Sequence, residues 1–192
     1  MRAVLRWAVT VAITCFVTAA PAQAPDTAAL VAAQREALKP LARMNGVWRG
    51  PATMVLPGGD KRTITQTERI GPFLGGTLKV IEGRGYDAAG NVAFNALGIV
   101  SFSPATQTYS MRSYSGGRQG DFPFKPTEDG YTWDVPAGPG AIIRYTATVR
   151  DNRLHEVGDR IAGGAAPVRV FEMLLERVGD TEWPESGAVS AR

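Results

Sequence analysis

The stretch that decides the fold is NGVWRGPATMVLPGG, residues 45–59. It places Trp48 between Gly46 and Gly50, with an arginine beside the tryptophan, where the first strand-forming segment of the chain begins. Glycines at the ends of a strand permit a close approach between backbones, because they carry no side chain. This spacing therefore bears on the fold more than on the chemistry of the protein.

Outward from this stretch, the chain up to residue 178 has the pattern of short strands and tight turns. Segments rich in Val, Ile, Thr, Tyr and Phe alternate with clusters such as PGGD (57–60) and DAAGN (87–91), which supply the backbone conformations that hairpins need. The predicted strands are 47–56, 62–70, 74–83, 92–102, 107–114, 119–124, 130–135, 140–150, 153–161 and 167–178. About ten sequential strands with hairpin-length links predict an all-β fold, an antiparallel up-and-down β-barrel, because closure removes the exposed edges.

The residues before the first strand divide into two parts. Residues 1–22 have a short basic start, an uncharged stretch and then small residues, which is the layout of a signal peptide cleaved before Gln23. This layout predicts a periplasmic or extracellular protein. Residues 23–45 then predict a short N-terminal helix, which Asp26 or Thr27 can cap and which Pro40 should stop or kink. The barrel domain is predicted at 46–178 and a C-terminal tail at 179–192.

The composition of the predicted mature chain excludes several classes of function. Its only cysteine, Cys15, lies in the signal segment, so no disulfide can form and a hydrophobic core must hold the fold. Removing the two basic residues of that segment from 21 leaves 19 against 18 acidic residues. A nearly neutral protein gives no electrostatic argument for nucleic acid or for an anionic membrane surface. We expect no stable membrane span after cleavage, and a monomer or a weak homodimer.

The spacing Gly46-x-Trp48 resembles the signature at the first strand of lipocalins and their calycin relatives. The resemblance implies that the tryptophan packs near the closed end of a barrel, and that an arginine from the end of the last strand lies across the indole. Arg177, at the end of VRVFEMLLER, is the candidate for that arginine. The structural signature is therefore predicted to be Gly46, Trp48, Gly50 and Arg177.

Residues from about 41 to 177 also resemble a secreted bacterial lipocalin-like family that brings no established activity. The resemblance rests on the GxWxG start at 46–50, on GPFL at 71–74 and on SFSPATQTY at 101–109. The GxWxG start is also distantly similar to that of nitrobindin-like barrels, which bind haem through a histidine near the last strand. The lone histidine here, His155, falls on the strand before the last, which disfavours haem. A single histidine also excludes a multi-histidine zinc site, so no metal and no cofactor are predicted.

Polar residues at alternating strand positions are the candidates for a ligand site. A Glu68–Arg144 or Glu172–Arg112 pair inside the barrel would orient a polar head group, because buried charges need partners. The alternative is that these side chains point outwards to water, since a register error of one residue exchanges the two faces of a strand. The candidate ligand-binding residues are Gln66, Glu68, Arg112, Tyr114, Arg144 and Glu172.

Three hypotheses for the function follow from this pattern. The first is binding of a small, partly apolar or amphipathic molecule in the barrel, without catalysis and with no catalytic residue. The second is an enzyme whose acid–base pair lies in the barrel, with Glu68 or Glu172 beside His155 or Arg144. The third is a structural barrel of the cell envelope, filled by its own side chains. The contents of the barrel distinguish the three hypotheses.

Overall fold

The chain folds as a closed barrel of ten antiparallel strands. The computed structural model describes residues 26–56 and 58–181. The strands are β1 (Gly46–Val55), β2 (Lys61–Phe73), β3 (Leu78–Tyr86), β4 (Val92–Ser103), β5 (Thr108–Ser115), β6 (Arg118–Pro126), β7 (Gly130–Pro136), β8 (Ala141–Arg150), β9 (Arg153–Ala162) and β10 (Val168–Gly179). Each strand pairs with the next along the chain, and β1 closes the barrel against β10. The predicted all-β, ten-stranded antiparallel barrel with a short N-terminal helix is confirmed.

The predicted strand bounds differ most at the turn between β2 and β3. The prediction ended the second strand at residue 70 and began the third at residue 74. Instead, β2 continues through Pro72 to Phe73, and β3 begins at Leu78. The turn lies at Leu74–Gly76, where all three residues have positive φ angles. The prediction was wrong here because GPFL contains a proline that is tolerated within the strand.

A short helix precedes the barrel. Helix α1 spans Thr27–Leu38, and the carboxylate of Asp26 caps it by accepting hydrogen bonds from the first-turn backbone. Pro40 lacks the N–H group that would continue an α-helix, so the chain goes on as a 3-10 helix, Lys39–Met44. Within residues 26–56 and 58–181, no helix has the length and apolar character needed to cross a membrane.

These two helices cover one end of the barrel. Tyr109 of β5 donates a hydrogen bond from its hydroxyl to the carbonyl of Ala37, at 2.8 Å. Arg35 donates from Nε to the carbonyl of Gly75 in the β2–β3 turn, at 2.7 Å. The 3-10 helix inserts two completely buried side chains, Leu41 and Met44, into the same end. We call this end, which the helices cover, the closed end.

Trp48 connects the closed end to the last strand. Its indole Nε1 donates to the carbonyl of Met44 at 2.9 Å, and the side chain is 1% exposed. Arg177 pairs with Trp48 in the β1–β10 register, and its guanidinium lies 6.0 Å from the centre of the indole ring. The same guanidinium donates to the carbonyl of Asn45. A cation over an indole face contributes about 0.5–2 kcal/mol, so Arg177 ties the last strand to the first.

The two glycines that flank Trp48 leave room for β10. A Cβ atom at Gly46 would lie 2.8 Å from Nε of Arg177, and Gly46 has a φ of +147°. A Cβ atom at Gly50 would lie 2.1 Å from the backbone carbonyl oxygen of Leu174. Both positions therefore need glycine, because a side chain at either would push the strands that close the barrel apart.

Replacing Gly50 by alanine should lower the free energy of unfolding by about 1–3 kcal/mol, the usual cost of overpacking. The oxygen that the new methyl group would strike belongs to the backbone of Leu174, which cannot rotate away as a side chain can. Urea denaturation measures the change. Gly58→Ala is the control, since a Cβ atom there meets nothing within 4 Å. Equal stabilities of the two variants would show that the contact does not constrain closure.

Candidate functional site

The barrel encloses a cavity of about 800 Å³ above the closed end. All ten strands contribute to its lining, and glycines or serines on β3 to β6 keep the interior wide there. Beneath the cavity the interior is filled by buried side chains, namely Leu41, Met44, Trp48, Ile70, Leu154 and Leu175. We call this layer the floor. The barrel is therefore filled at the closed end and hollow above it.

Aromatic rings form much of the cavity wall. Trp133 of β7 stacks on Tyr145 of β8, with ring centres 4.5 Å apart and planes at 15°. Phe171 of β10 meets Tyr145 edge-on at 5.7 Å, and Phe122 of β6 meets Trp133 in the same way. Four neighbouring rings thus present a continuous apolar surface to the cavity.

Two glutamates lie immediately above the floor, and we call them the acid pair. On β2, Glu68 lies two residues before the buried Ile70. On β9, Glu156 lies two residues after the buried Leu154. Alternation places such residues on the same face of a strand as their buried neighbours. Both carboxyl groups therefore face the bottom of the cavity.

The two carboxyl groups have different hydrogen-bond donors. Glu156 accepts from Nε1 of Trp133 at 3.0 Å and also from the hydroxyl of Tyr131. Glu68 accepts from the amide of Gln66 at the longer distance of 3.4 Å. Because it accepts from two donors, of which Trp133 is closer than Gln66 is to Glu68, Glu156 is the better placed of the two to carry a negative charge.

Burial changes the acidity of both groups. It raises the pKa of Glu68 to about 8, and repulsion by Glu156 adds to the effect while the Gln66 bond opposes it. Burial also raises the pKa of Glu156 to about 7, against the bonds from Trp133 and Tyr131. No cationic side chain of the described residues is among the groups that shift either pKa. At neutral pH the acid pair therefore retains a proton.

The structure divides the six predicted ligand-binding residues into two sets. Gln66 and Glu68 line the cavity, as neighbouring inward positions of β2. The other four belong to the outward-facing positions of their strands and are exposed, namely Arg112, Tyr114, Arg144 and Glu172. The inward positions of β5, β8 and β10 are instead those of Ser113, Tyr145 and Met173.

The ion pairs expected inside the barrel do not form. Arg144 pairs with Asp134 of β7 at 2.7 Å, and Arg112 pairs with Asp121 of β6 at 3.1 Å, both on the outer face. Glu172 contacts His155 at 2.9 Å, also on the outer face. The predicted Glu68–Arg144 and Glu172–Arg112 pairs were wrong because the strand register turns three of those side chains outwards.

Sequence reasoning missed four residues of the site: Tyr131, Trp133, Tyr145 and Glu156. A signal for them was present in the alternation. Glu156 stands two residues from Leu154 in a strand whose apolar face it shares, and Tyr131 and Trp133 alternate in the same way. His155, between Leu154 and Glu156 in sequence, occupies the opposite face of the same strand.

The same geometry bears on metals and haem. The single histidine lies on the outer face, and its side chain is 42% exposed. Among the described residues, no cluster of three or more His, Cys, Asp or Glu side chains could hold a metal ion. The cavity itself offers carboxyl, phenol, indole and amide groups to a ligand.

Comparison with known proteins supports the fold. The crystal structure of Rv2717c from M. tuberculosis is similar to this chain, with a TM-score of 0.55 and 12% sequence identity over 73% of this chain and 96% of that one. At this identity the likeness shows the barrel architecture alone. No protein-family model and no curated protein matches the chain. The lipocalin-like and nitrobindin-like resemblances therefore stay predictions.

Proposed function

We propose that the protein reversibly binds a small, partly apolar molecule inside the barrel. The observation that carries the proposal is the hollow of about 800 Å³, with aromatic walls and the acid pair at its bottom. Ligand sites in proteins are typically cavities of about 300–1,000 Å³, mostly apolar with a few polar groups that fix orientation. A filled structural barrel would have side chains where this cavity lies.

The apolar wall and the polar bottom of the cavity would orient a bound molecule. An apolar body would contact the rings of Trp133, Tyr145 and Phe171 on the wall. A polar head would reach Glu68 and Glu156 at the bottom, where the carboxyl groups need hydrogen-bonding partners. The ligand class expected from this geometry is amphipathic, with its polar group at one end.

Filling the cavity tests the proposal. Ser113 lines the cavity between Gly98 and Gly120 of the adjacent strands, so Ser113→Trp would place an indole in open space. We expect it to weaken binding of the neutral fluorescent probe N-phenyl-1-naphthylamine by about fivefold or more, roughly 1 kcal/mol. Ser110→Trp, on the outer face of the same strand, is the control. Unchanged affinity in Ser113→Trp, or no binding by the wild type, would contradict the proposal.

Acid–base catalysis is the second candidate, and the acid pair is the observation that favours it. Two carboxyl groups with separated pKa values near neutrality can act as a general acid and a general base. Glu172 and His155, which sequence reasoning offered for this role, lie outside the barrel. Catalysis predicts that a bound molecule is consumed, so NMR spectra of ligands retained by the purified protein, before and after incubation, separate the two functions.

The cellular location that we propose for the protein rests on its sequence. Residues 1–22, the predicted signal peptide, lie outside the described residues, as does the tail beyond residue 181. We propose a periplasmic or extracellular location, in which the barrel acts as a monomer or weak homodimer. Mass spectrometry of the protein purified from its own cell envelope checks this, with Gln23 expected as its first residue.

A further inference from the structure

We propose that the ligand of this cavity is an organic cation, whose ammonium group binds between Glu68 and Glu156 while its apolar body lies against the aromatic wall. The inference rests on the proposed function, because it assumes that the cavity binds a small molecule. It adds the chemical class of that molecule and the groups that recognise it.

The first argument is the distribution of charge in the cavity. Of the charged residues in its lining, Glu68 and Glu156 lie at the bottom, whereas Arg118 is exposed at the β5–β6 hairpin. Three strand arginines, Arg112, Arg144 and Arg169, pair instead with aspartates on the outer face. The bottom of the cavity thus has negative charge available, and no cationic side chain of the described residues is among the groups that shift the pKa of either carboxyl group.

The second argument is that buried carboxylates need a counter-charge. Removing a carboxylate from water costs several kcal/mol unless an opposite charge or strong hydrogen bonds replace the water. Trp133 and Tyr131 supply hydrogen bonds to Glu156, but within residues 26–56 and 58–181 the amide of Gln66 is the only side-chain donor to Glu68. An ammonium group has three N–H donors, so a single group could donate to both carboxyl groups.

The third argument is the chemistry of the wall. The faces of tryptophan and tyrosine attract cations within about 6 Å, and more strongly where water is excluded. Trp133 lies beside the acid pair, since its Nε1 contacts Glu156, and Tyr145 stacks on it. An anionic ligand would be repelled by the acid pair, and a neutral ligand would leave the charge of the pair uncompensated.

Three ligands with one ring system test the inference. Tryptamine is a cation, tryptophol is its neutral counterpart and indole-3-acetate is an anion. We expect isothermal titration calorimetry at pH 7.5 to show tryptamine binding about tenfold or more tighter than tryptophol, the scale of one charge-assisted hydrogen bond. Indole-3-acetate should bind most weakly.

Variants of the acid pair show whether the preference comes from these groups. Glu68→Gln and Glu156→Gln should each weaken tryptamine binding by about tenfold and change tryptophol binding by less than about threefold. The control is Glu176→Gln, on the outer face of β10, which should leave all three affinities unchanged. If one variant fails to fold, the other variant and the ranking of ligands by the wild type still decide the question.

The outcomes separate this inference from the proposed function. If tryptophol or indole-3-acetate binds as tightly as tryptamine, the cationic class is wrong while the cavity remains a binding site. The same holds if N-phenyl-1-naphthylamine binds and none of the three indoles does. If neither the probe nor any indole binds, the proposed function itself fails. A tryptamine preference that survives in both Glu→Gln variants would also overturn the inference.

Discussion

Glu68→Gln should make the ligand-free protein more stable than the wild type at pH 9, by on the order of 2–5 kcal/mol. At pH 5 the difference should shrink to about 1 kcal/mol or less. The difference arises because Glu68 must ionise at high pH in a place where burial and Glu156 both oppose its charge. Glutamine has nearly the same shape and cannot ionise, so the variant escapes this cost.

The direction of the pH dependence follows from the proton balance. In the unfolded chain Glu68 loses its proton near the ordinary glutamate pKa of 4.5, whereas in the folded protein it keeps the proton up to about pH 8. Between these values the folded state binds more protons than the unfolded state. The free energy of unfolding therefore falls as pH rises, by up to about 1.4 kcal/mol per pH unit for each such group. Glu156 adds a similar fall up to about pH 7.

Urea denaturation of the ligand-free proteins at pH 5, 7 and 9 measures this effect. Glu156→Gln should also reduce the slope, and Glu176→Gln on the outer face should leave it as in the wild type. An equal slope in the wild type and Glu68→Gln would show that Glu68 is not buried beside a second carboxyl group. A variant less stable than the wild type at pH 9 would contradict the prediction outright.

Trp48→Ala should lower the free energy of unfolding by about 3–5 kcal/mol, as large aromatic truncations in a core do. The indole is completely buried in the floor, donates to the carbonyl of Met44 and has its ring centre 6.0 Å from the guanidinium of Arg177. The substitution would therefore leave a void, an unpaired carbonyl and a loosened junction between β1 and β10.

Chemical denaturation at pH 6 compares this variant with two others. Trp48→Phe should lose less stability, because most of the packing remains. Val178→Thr, at a position that is 54% exposed next to Arg177, should stay within about 0.5 kcal/mol of the wild type. If Trp48→Ala were no more destabilising than Val178→Thr, the tryptophan would not hold the closed end.

The acid pair destabilises the ligand-free protein, and this destabilisation indicates a function for the pair. Two buried carboxyl groups whose pKa values no cation of the described residues shifts lower stability at neutral pH, where an apolar pair of similar size would not. Groups whose pKa is strongly shifted inside a cavity are found preferentially at functional sites. The loss of folding stability that Glu68 and Glu156 cause is thus itself an argument for a ligand whose binding offsets that loss.

The barrel was predictable from the sequence because its signals are local. Alternating apolar residues define the strands, and turn residues such as those in DAAGN define where each strand ends. The β2–β3 turn was misplaced, since Leu74 adopts a positive φ that glycine usually provides. Ten hairpin-linked strands then leave closure as the simplest way to remove the edges.

The site was harder to predict because it depends on register. Arg144 and Tyr145 are neighbours in sequence, yet one faces water and the other faces the cavity, so an error of one residue reverses their roles. Glu68 was a candidate because it alternates with Gln66 on one face of the second strand. Its partner, Glu156, lies on a strand that is far away in the sequence, and only the closed barrel brings the two carboxyl groups together.

The central claim is that a small molecule binds inside the barrel, and methionine methyl groups report on it directly. Met54, Met111 and Met173 line the cavity, whereas Met44 lies in the floor. In protein labelled with ¹³C at the methionine methyl groups, N-phenyl-1-naphthylamine should shift the NMR signals of the three cavity methionines and shift that of Met44 least. Unchanged signals from all three cavity methionines would contradict the claim.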